Sequence, residues 1–267
     1  MASEPDYLRL QPNNIAAASD WWSEANDGAR AFGGQITAHC IIAAGRAAPP
    51  NFSMHSLHLH FLRAGNCVAT RYDVAPVRVG RSYAVYRVVG VETDSGKEIA
   101  SAVIGFCKHE DGESLHTTAA PPLPAPSESS DASAWPQIVP ADDSGRRWRV
   151  RWNQKAGDGT PLTAASAPIA HAAALGFISD YYFLWSSLYP HRHSGIELRM
   201  LASLDHAIHL HAPDLDASEE MLYEVDTPWA SKGRALVRGR LWSARTGKLL
   251  ASTVQEGVLR GARASKL

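Results

Sequence analysis

Apolar and polar positions along the chain run through one pattern twice: a helical apolar stretch, then a series of segments with a period of two. In the first round residues 34–47 read as a helix, and residues 54–62, 68–77, 82–92 and 98–108 read as strands. In the second, residues 168–188 read as a helix stopped by Pro190, with strands near 196–211, 220–227, 233–243 and 249–259. A helix followed by a long antiparallel meander predicts an α+β unit in which a curved sheet wraps one helix, the hot-dog arrangement.

Short matches between the two rounds support a duplication. Gly80-Arg81-Ser82, Gly96-Lys97 and Ala100-Ser101 are answered by Gly233-Arg234-Ala235, Gly247-Lys248 and Ala251-Ser252, at offsets of 153, 151 and 151 residues. Ser56-Leu57-His58 against Ser203-Leu204-Asp205-His206 adds an offset of 147 in the same order. The shared order and spacing carry the inference. Residues 110–143 are rich in Pro, Ala and Ser and lack sustained periodicity, as a connector between two units would. The expected division is an N-terminal unit 1–109, a linker 110–143 and a C-terminal unit 144–267.

Composition narrows the class. A chain of 267 residues with 45% hydrophobic and 20% charged content can build one large core or two small ones. A net charge of -1 and a pI near 6.9 remove the electrostatic case for a nucleic-acid or anionic-membrane partner. Cys40, Cys67 and Cys107 lie far apart, without a C-x-x-C pair, so neither a disulfide framework nor a thiolate zinc site is indicated and a reducing compartment fits best. The polar, acidic N-terminus and the lack of a long apolar run argue against export and against a membrane span. Ser265-Lys266-Leu267 at the other end is the tripeptide that peroxisomal import receptors read, so the expectation is a peroxisomal protein in a eukaryote and a cytoplasmic one otherwise.

Asp180 is the only carboxylate between Ile169 and Leu188, in a segment apolar almost all round. A carboxylate in such a setting is paired, protonated or functional, unless it breaks onto a solvated edge or bonds the backbone near Ser179. Desolvation would raise its pKa and make it a better base near neutral pH. Ser203 and Asp205 stand two apart on an expected strand, so they should share a face with Ala207, His209 and His211. Gln255 interrupts a strand where the first half has Ile104, which is either an exposed glutamine or a sign of a site confined to the second half. His55, His58, His60, His206, His209 and His211 lack supporting carboxylates or thiolates at metal-binding spacing, and no metal or cofactor is expected. There is no G-x-S-x-G elbow, no Gly-rich dinucleotide fingerprint, no P-loop and no Asp-x4-His hydratase pair in a suitable place.

Taken together, Arg30-Ala31-Phe32-Gly33-Gly34-Gln35, His55-Ser56-Leu57-His58 with Phe61-Leu62-Arg63, Gly80-Arg81-Ser82, Ser203-Leu204-Asp205-His206 and Val254-Gln255-Glu256-Gly257 resemble the acyl-CoA thioesterase II family over nearly the whole chain outside the linker. The resemblance implies a double hot-dog fold and hydrolysis of acyl-CoA to a free acid and CoA. It implies a catalytic set of Asp180, Ser203 and Gln255 holding one water against the thioester carbonyl, with Asp180 as general base or orienting acceptor. Backbone N–H groups around Gly33 and Gly34 are then expected at the oxyanion, and His58, Asp205 and His209 join them as oxyanion or substrate-binding candidates. Partners implied are the acyl-CoA substrate, a peroxisomal import receptor and further copies of the chain. Family members often carry aromatic residues where His209 and Leu210 stand, and Arg-Pro-Gly where Arg63-Ala64-Gly65 stands; the first departure bears on chain-length preference. Readings that remain open are a non-hydrolytic hot-dog protein, of hydratase or cyclase type, and an acyl-CoA binding module.

Overall fold

The computed structural model describes residues 31–65, 70–110, 112, 115–122, 137–152, 162–163, 166–191, 193–194 and 196–263. The targeting candidates Ser265, Lys266 and Leu267, and Cys67, lie outside the described residues.

Helix α1 (Gly33–Ala47) is followed by strands β1 (Phe52–Phe61), β2 (Thr70–Val79), β3 (Tyr83–Glu92) and β4 (Glu98–Lys108). Then come β5 (Gln137–Pro140), β6 (Arg147–Arg151), helix α2 (Pro168–Asp180) and a 3-10 segment (Leu184–His191). The chain continues through β7 (Ile196–Ser203), β8 (Asp205–Leu210), β9 (Met221–Ser231), β10 (Arg234–Ser243) and β11 (Leu249–Arg263). These strands form one antiparallel sheet in the order β2-β3-β4-β1-β8-β11-β10-β9-β6-β5, with β7 pairing β11 off this path. The two rounds meet where β1 pairs β8, from Ser56 opposite His209 to His60 opposite Asp205. This is a double hot-dog: two helices side by side, wrapped by a single continuous sheet.

Both helices are buried on every side, which is why neither is amphipathic. Gly34 through Ala44 and Ala170 through Asp180 are buried without a break, packed by the sheet and by the other helix. Their backbones approach closely. A β-carbon on Gly34 would come 2.5 Å from the Phe177 carbonyl oxygen, and one on Gly176 would come 2.6 Å from Ile41 Cδ1. The strands alternate as their sequence does. On β10, Ala235, Val237 and Leu241 point into the core. The intervening Arg238 and Arg240 pair on the outer face with Asp226 at 2.8 Å and Glu224 at 3.1 Å. None of the helices is long and apolar enough to cross a membrane among the described residues.

Three details depart from the sequence expectation. The second helix ends at Asp180 rather than continuing to residue 188, with Tyr182 beyond it in the left-handed region at φ 56° and its ring stacked 5.5 Å from that of Trp148. The expected strand 196–211 is two strands broken at Leu204. Finally, residues 137–140, read as connector, form β5 against β6.

Candidate active site

The break at Leu204 decides which side chains meet. Along β11, Val254 is opposite Ala207 on β8 while Gly257 is opposite Ser203 on β7, so one extra residue is accommodated between them as a β-bulge. Leu204 bridges it, donating its N–H to the Glu256 carbonyl at 2.9 Å while its own carbonyl accepts from Phe61 N–H at 2.9 Å. The bulge inverts the phase of the strand. Ser203 therefore shares the inner face with Gly257 and Gln255, whereas Asp205 faces outward, its Oδ1 accepting from the Glu256 N–H at 2.7 Å. The expectation of a common face for Ser203 and Asp205 is corrected accordingly. His58 and His209 also stand on the outer face, exposed, with ring centroids 5.3 Å apart, across the sheet from Asp180. Asp205, His58 and His209 thus stand on the face of the sheet away from the buried carboxylate. The inner-facing histidine is His206, in phase with Ile208.

Asp180 occupies the last position of α2, 8% exposed, in a setting that opposes a negative charge: the buried carboxyl end of a helix. Phe32 packs edge-on against Phe177 at 4.8 Å and Tyr181 at 5.6 Å. Two donors hold the carboxylate nonetheless. Gln255 Nε2 donates to Oδ1 at 2.5 Å, and the Gly34 N–H, in the first turn of α1, donates from the other half of the molecule. The second oxygen, Oδ2, lies against Gly33, where a β-carbon would come within 2.8 Å of it. Burial pushes Asp180 up to about 6, against the opposing pull of the Gln255 and Gly34 hydrogen bonds.

Gln255 is fully buried and doubly tied through one atom. Nε2 also lies 3.3 Å from His206 Nδ1, and His206 Nε2 lies 2.9 Å from Ser179 Oγ. The Ser179 hydroxyl donates to the Gly176 carbonyl at 3.1 Å, so it accepts from His206, and the imidazole is the Nε2–H tautomer with Nδ1 as acceptor. Burial pushes His206 down to about 3, keeping it neutral at physiological pH. Tyr223 donates to the Ser179 carbonyl at 2.8 Å and sits 3.0 Å from Thr253 Oγ1, satisfying an orphan carbonyl at the helix end. Both amide hydrogens of Gln255 are thereby engaged, and its Oε1 is buried with no hydrogen-bond partner among the described residues.

Ser203, on the same face and opposite Gly257, two residues along β11 from Gln255, makes no hydrogen bond to Asp180 or Gln255 among the described residues. Gly34 departs from its expected role in one respect, since its N–H is directed at the Asp180 carboxylate rather than left for an oxyanion. The sequence assigns no site role to Ser179, Tyr223 or Thr253, and brings in His206 only as one of several histidines without metal-binding support and within the Ser203-Leu204-Asp205-His206 motif. The available signal was the phase His206–Ile208–Leu210, inward on β8, which the bulge conceals. Among the described residues the first half has no counterpart to this set: Ile104 stands at the place of Gln255, Leu59 at that of His206, and α1 ends in Arg46-Ala47. No group of three or more His, Cys, Asp or Glu side chains is arranged to hold a metal among the described residues.

Sequence comparison gives the family. The acyl-CoA thioesterase N-terminal domain family matches residues 18–107, and the acyl-CoA thioesterase family matches residues 153–258. The mouse acyl-coenzyme A thioesterase 8 is 32% identical across 95% of this chain and 87% of its own length. The chain belongs to the acyl-CoA thioesterase II family. The acyl-CoA thioesterase 2 of Haemophilus influenzae is 27% identical over 86% of this chain and 87% of its own. The crystal structure of an acyl-CoA thioesterase II, TesB2, from Mycobacterium marinum superposes with a TM-score of 0.74 at 27% identity, covering 98% of each chain. A hot-dog protein of unknown function from Alicyclobacillus acidocaldarius shares the fold at a TM-score of 0.73 and 16% identity. As a member of this family the chain is an acyl-CoA thioesterase, a hydrolase.

Proposed function

We propose that this thioesterase releases a free acid and CoA by direct attack of water, with Asp180 as general base and Gln255 and Ser203 orienting the nucleophile. The observation that carries the reading is the pairing of a buried carboxylate with a raised pKa and an adjacent buried amide oxygen that has no partner among the described residues. A water between them gives one hydrogen to Asp180 and the other to Gln255 Oε1. Its oxygen then faces away from both acceptors, and the Ser203 hydroxyl can donate into one lone pair while the other attacks. Rotating the Gln255 amide would set Oε1 against the carboxylate, two acceptors face to face, so the orientation follows from the partners.

Asp180 takes the proton as the new C–O bond forms and the carbonyl electron pair moves to oxygen. The Gly33 N–H, in the helix turn where α1 has no acceptor of its own to offer, is the donor for that oxyanion. When the electron pair returns, the C–S bond breaks and the departing thiolate recovers the proton from Asp180. Water supplies the hydroxyl of the acid and the hydrogen of the thiol. A thiolate is a good leaving group, with a thiol pKa of about 8.5, so little acid assistance is needed.

The test is thiol release from short, medium, long and branched acyl-CoA esters by the wild type, Gln255→Ala and Ser203→Ala. Loss of about 100-fold in kcat for Gln255→Ala with acyl-CoA binding retained supports the reading; near-wild-type turnover in both variants contradicts it. We further propose peroxisomal import through Ser265-Lys266-Leu267 in a eukaryotic cell, which a fluorescent fusion with and without the tripeptide would test. Homo-oligomerisation is proposed from the exposed Val77 and Val79 on the edge strand β2 and Tyr83 beside it, with sedimentation as its test.

A further inference from the structure

His206 has no place in the water-attack scheme, yet it is fully buried among the groups that carry it. Its ring is packed edge-on by Phe183 at 5.7 Å, and each of its nitrogens meets one partner: Gln255 Nε2 at Nδ1 and Ser179 Oγ at Nε2. A primary amide can be turned end for end with almost no change in shape, so packing alone cannot tell the two orientations of Gln255 apart. Only its hydrogen-bond partners can. Asp180 accepts one Nε2 hydrogen, and His206 Nδ1 accepts the other because the opposite nitrogen carries the proton that goes to Ser179.

We infer that His206 is a positioning residue that locks the Gln255 amide with Nε2 toward Asp180 and Oε1 toward the nucleophilic water. The inference rests on the reading of Asp180 and Gln255 given above. It also accounts for Ser179, whose hydroxyl fixes the imidazole tautomer, and for Tyr223, whose hydroxyl fixes the Ser179 backbone. The series runs Tyr223, Ser179, His206, Gln255, Asp180, drawn from β9, α2, β8, β11 and back to α2. A neutral imidazole is required throughout, since a protonated Nδ1 would be a donor facing a donor. Burial keeps it neutral down to about pH 3. Around Asp180 stand Gly33 and Gly34 from α1, Gln255 from β11 and Tyr223 from β9, with Tyr181 next along the chain and His206 behind Gln255 from β8; the titratable ones are Tyr181, Tyr223 and His206.

Two substitutions separate positioning from packing because the two roles rank them oppositely. His206→Leu fills the core with an apolar side chain and removes the acceptor; His206→Asn leaves a smaller side chain but sets Oδ1 where Nδ1 stood. Positioning predicts that His206→Leu lowers kcat by about 100-fold with little change in KM. His206→Asn then returns kcat to within about 10-fold of wild type. The acid limb of the pH-rate profile also moves upward in His206→Leu, since Asp180 loses an ordered donor. A packing role predicts the reverse ranking and an unmoved acid limb, and either result overturns the inference. Should neither variant fold, nitrogen-15 spectra of the wild-type chain read the tautomer directly. An unprotonated Nδ1 and protonated Nε2 on the imidazole in contact with Phe183, unchanged from pH 8 to pH 4, supports the inference, and an Nδ1–H tautomer or titration in that range refutes it. Full activity in Gln255→Ala would instead bring down the underlying mechanism, leaving His206 nothing to position.

Discussion

Asp180 is the residue at which stability and chemistry pull apart. Its pKa stands at about 6 in the fold against 3.8 as the ordinary value, so the folded state holds the proton more tightly than the unfolded chain. The favourable contribution is fully present below 3.8 and is lost as pH rises through 6; at neutral pH the ionised carboxylate costs on the order of 3 kcal/mol. In the proposed mechanism activity has the opposite sign, because only the carboxylate can take a proton from water. The acid limb of kcat/KM is therefore expected to fall with a midpoint near pH 6, measurable by thiol release between pH 4.5 and 8. Replacing the charge by an isosteric amide should recover the lost stability: Asp180→Asn is expected to raise Tm by about 5 °C at pH 7.5 and by much less at pH 4, read by calorimetry.

At the scale of elements, the site depends on where α2 stops and on where strand 196–210 bulges. Neither feature is written plainly in the sequence. No Gly or Pro follows Asp180 before Pro190, and the helix is closed by Tyr182 in a left-handed conformation that a tyrosine adopts only with tertiary help, here the stack on Trp148. Period-two reading carried Ser203 and Asp205 to one face because a bulge of one residue leaves no compositional mark. Asp180 and Gln255, by contrast, were legible as polar residues interrupting apolar runs, since the physics that makes them costly makes them conspicuous. The N-terminus of α1 offers a test of how the helices build the site. At Gly34 a β-carbon meets the Phe177 backbone oxygen and the Phe32 ring, so Gly34→Ala must push the helices apart, with a loss of roughly 2 kcal/mol or more. At Gly33 the nearest atoms are the ends of the Asp180 and Phe61 side chains, so Gly33→Ala should fold normally while displacing the carboxylate. Denaturant midpoints and thiol release on the two variants should therefore separate, with stability lost in one and activity lost in both.

For the whole molecule, duplication was legible in the shared order and nearly constant offset of matching segments, and the structure adds that the halves are joined into one sheet and one site. The sheet runs unbroken through the β1–β8 pairing, and the carboxylate of the second half is held by a backbone N–H of the first. Dividing the chain would expose the β1 and β8 strand edges and a large share of the surface of two buried helices. Residues 1–109 and 110–267 expressed apart are thus expected to aggregate without thioesterase activity, and their co-expression to restore a soluble complex with thiol release. The helix-and-meander pattern predicted the two-unit architecture well because burial on both sides of each helix erases amphipathicity over long, easily seen segments. The β5–β6 hairpin escaped it because four residues are too few to display a period.

In the proposed mechanism Asp180 is the base that activates water. Thiol release from a saturating acyl-CoA ester by Asp180→Asn, at a concentration of folded protein matched to wild type, tests it most directly. The account predicts a fall in kcat of roughly a thousandfold in a variant that is at least as stable as its parent. Turnover within about 10-fold of wild type would contradict it, because a neutral amide cannot accept the proton of an attacking water.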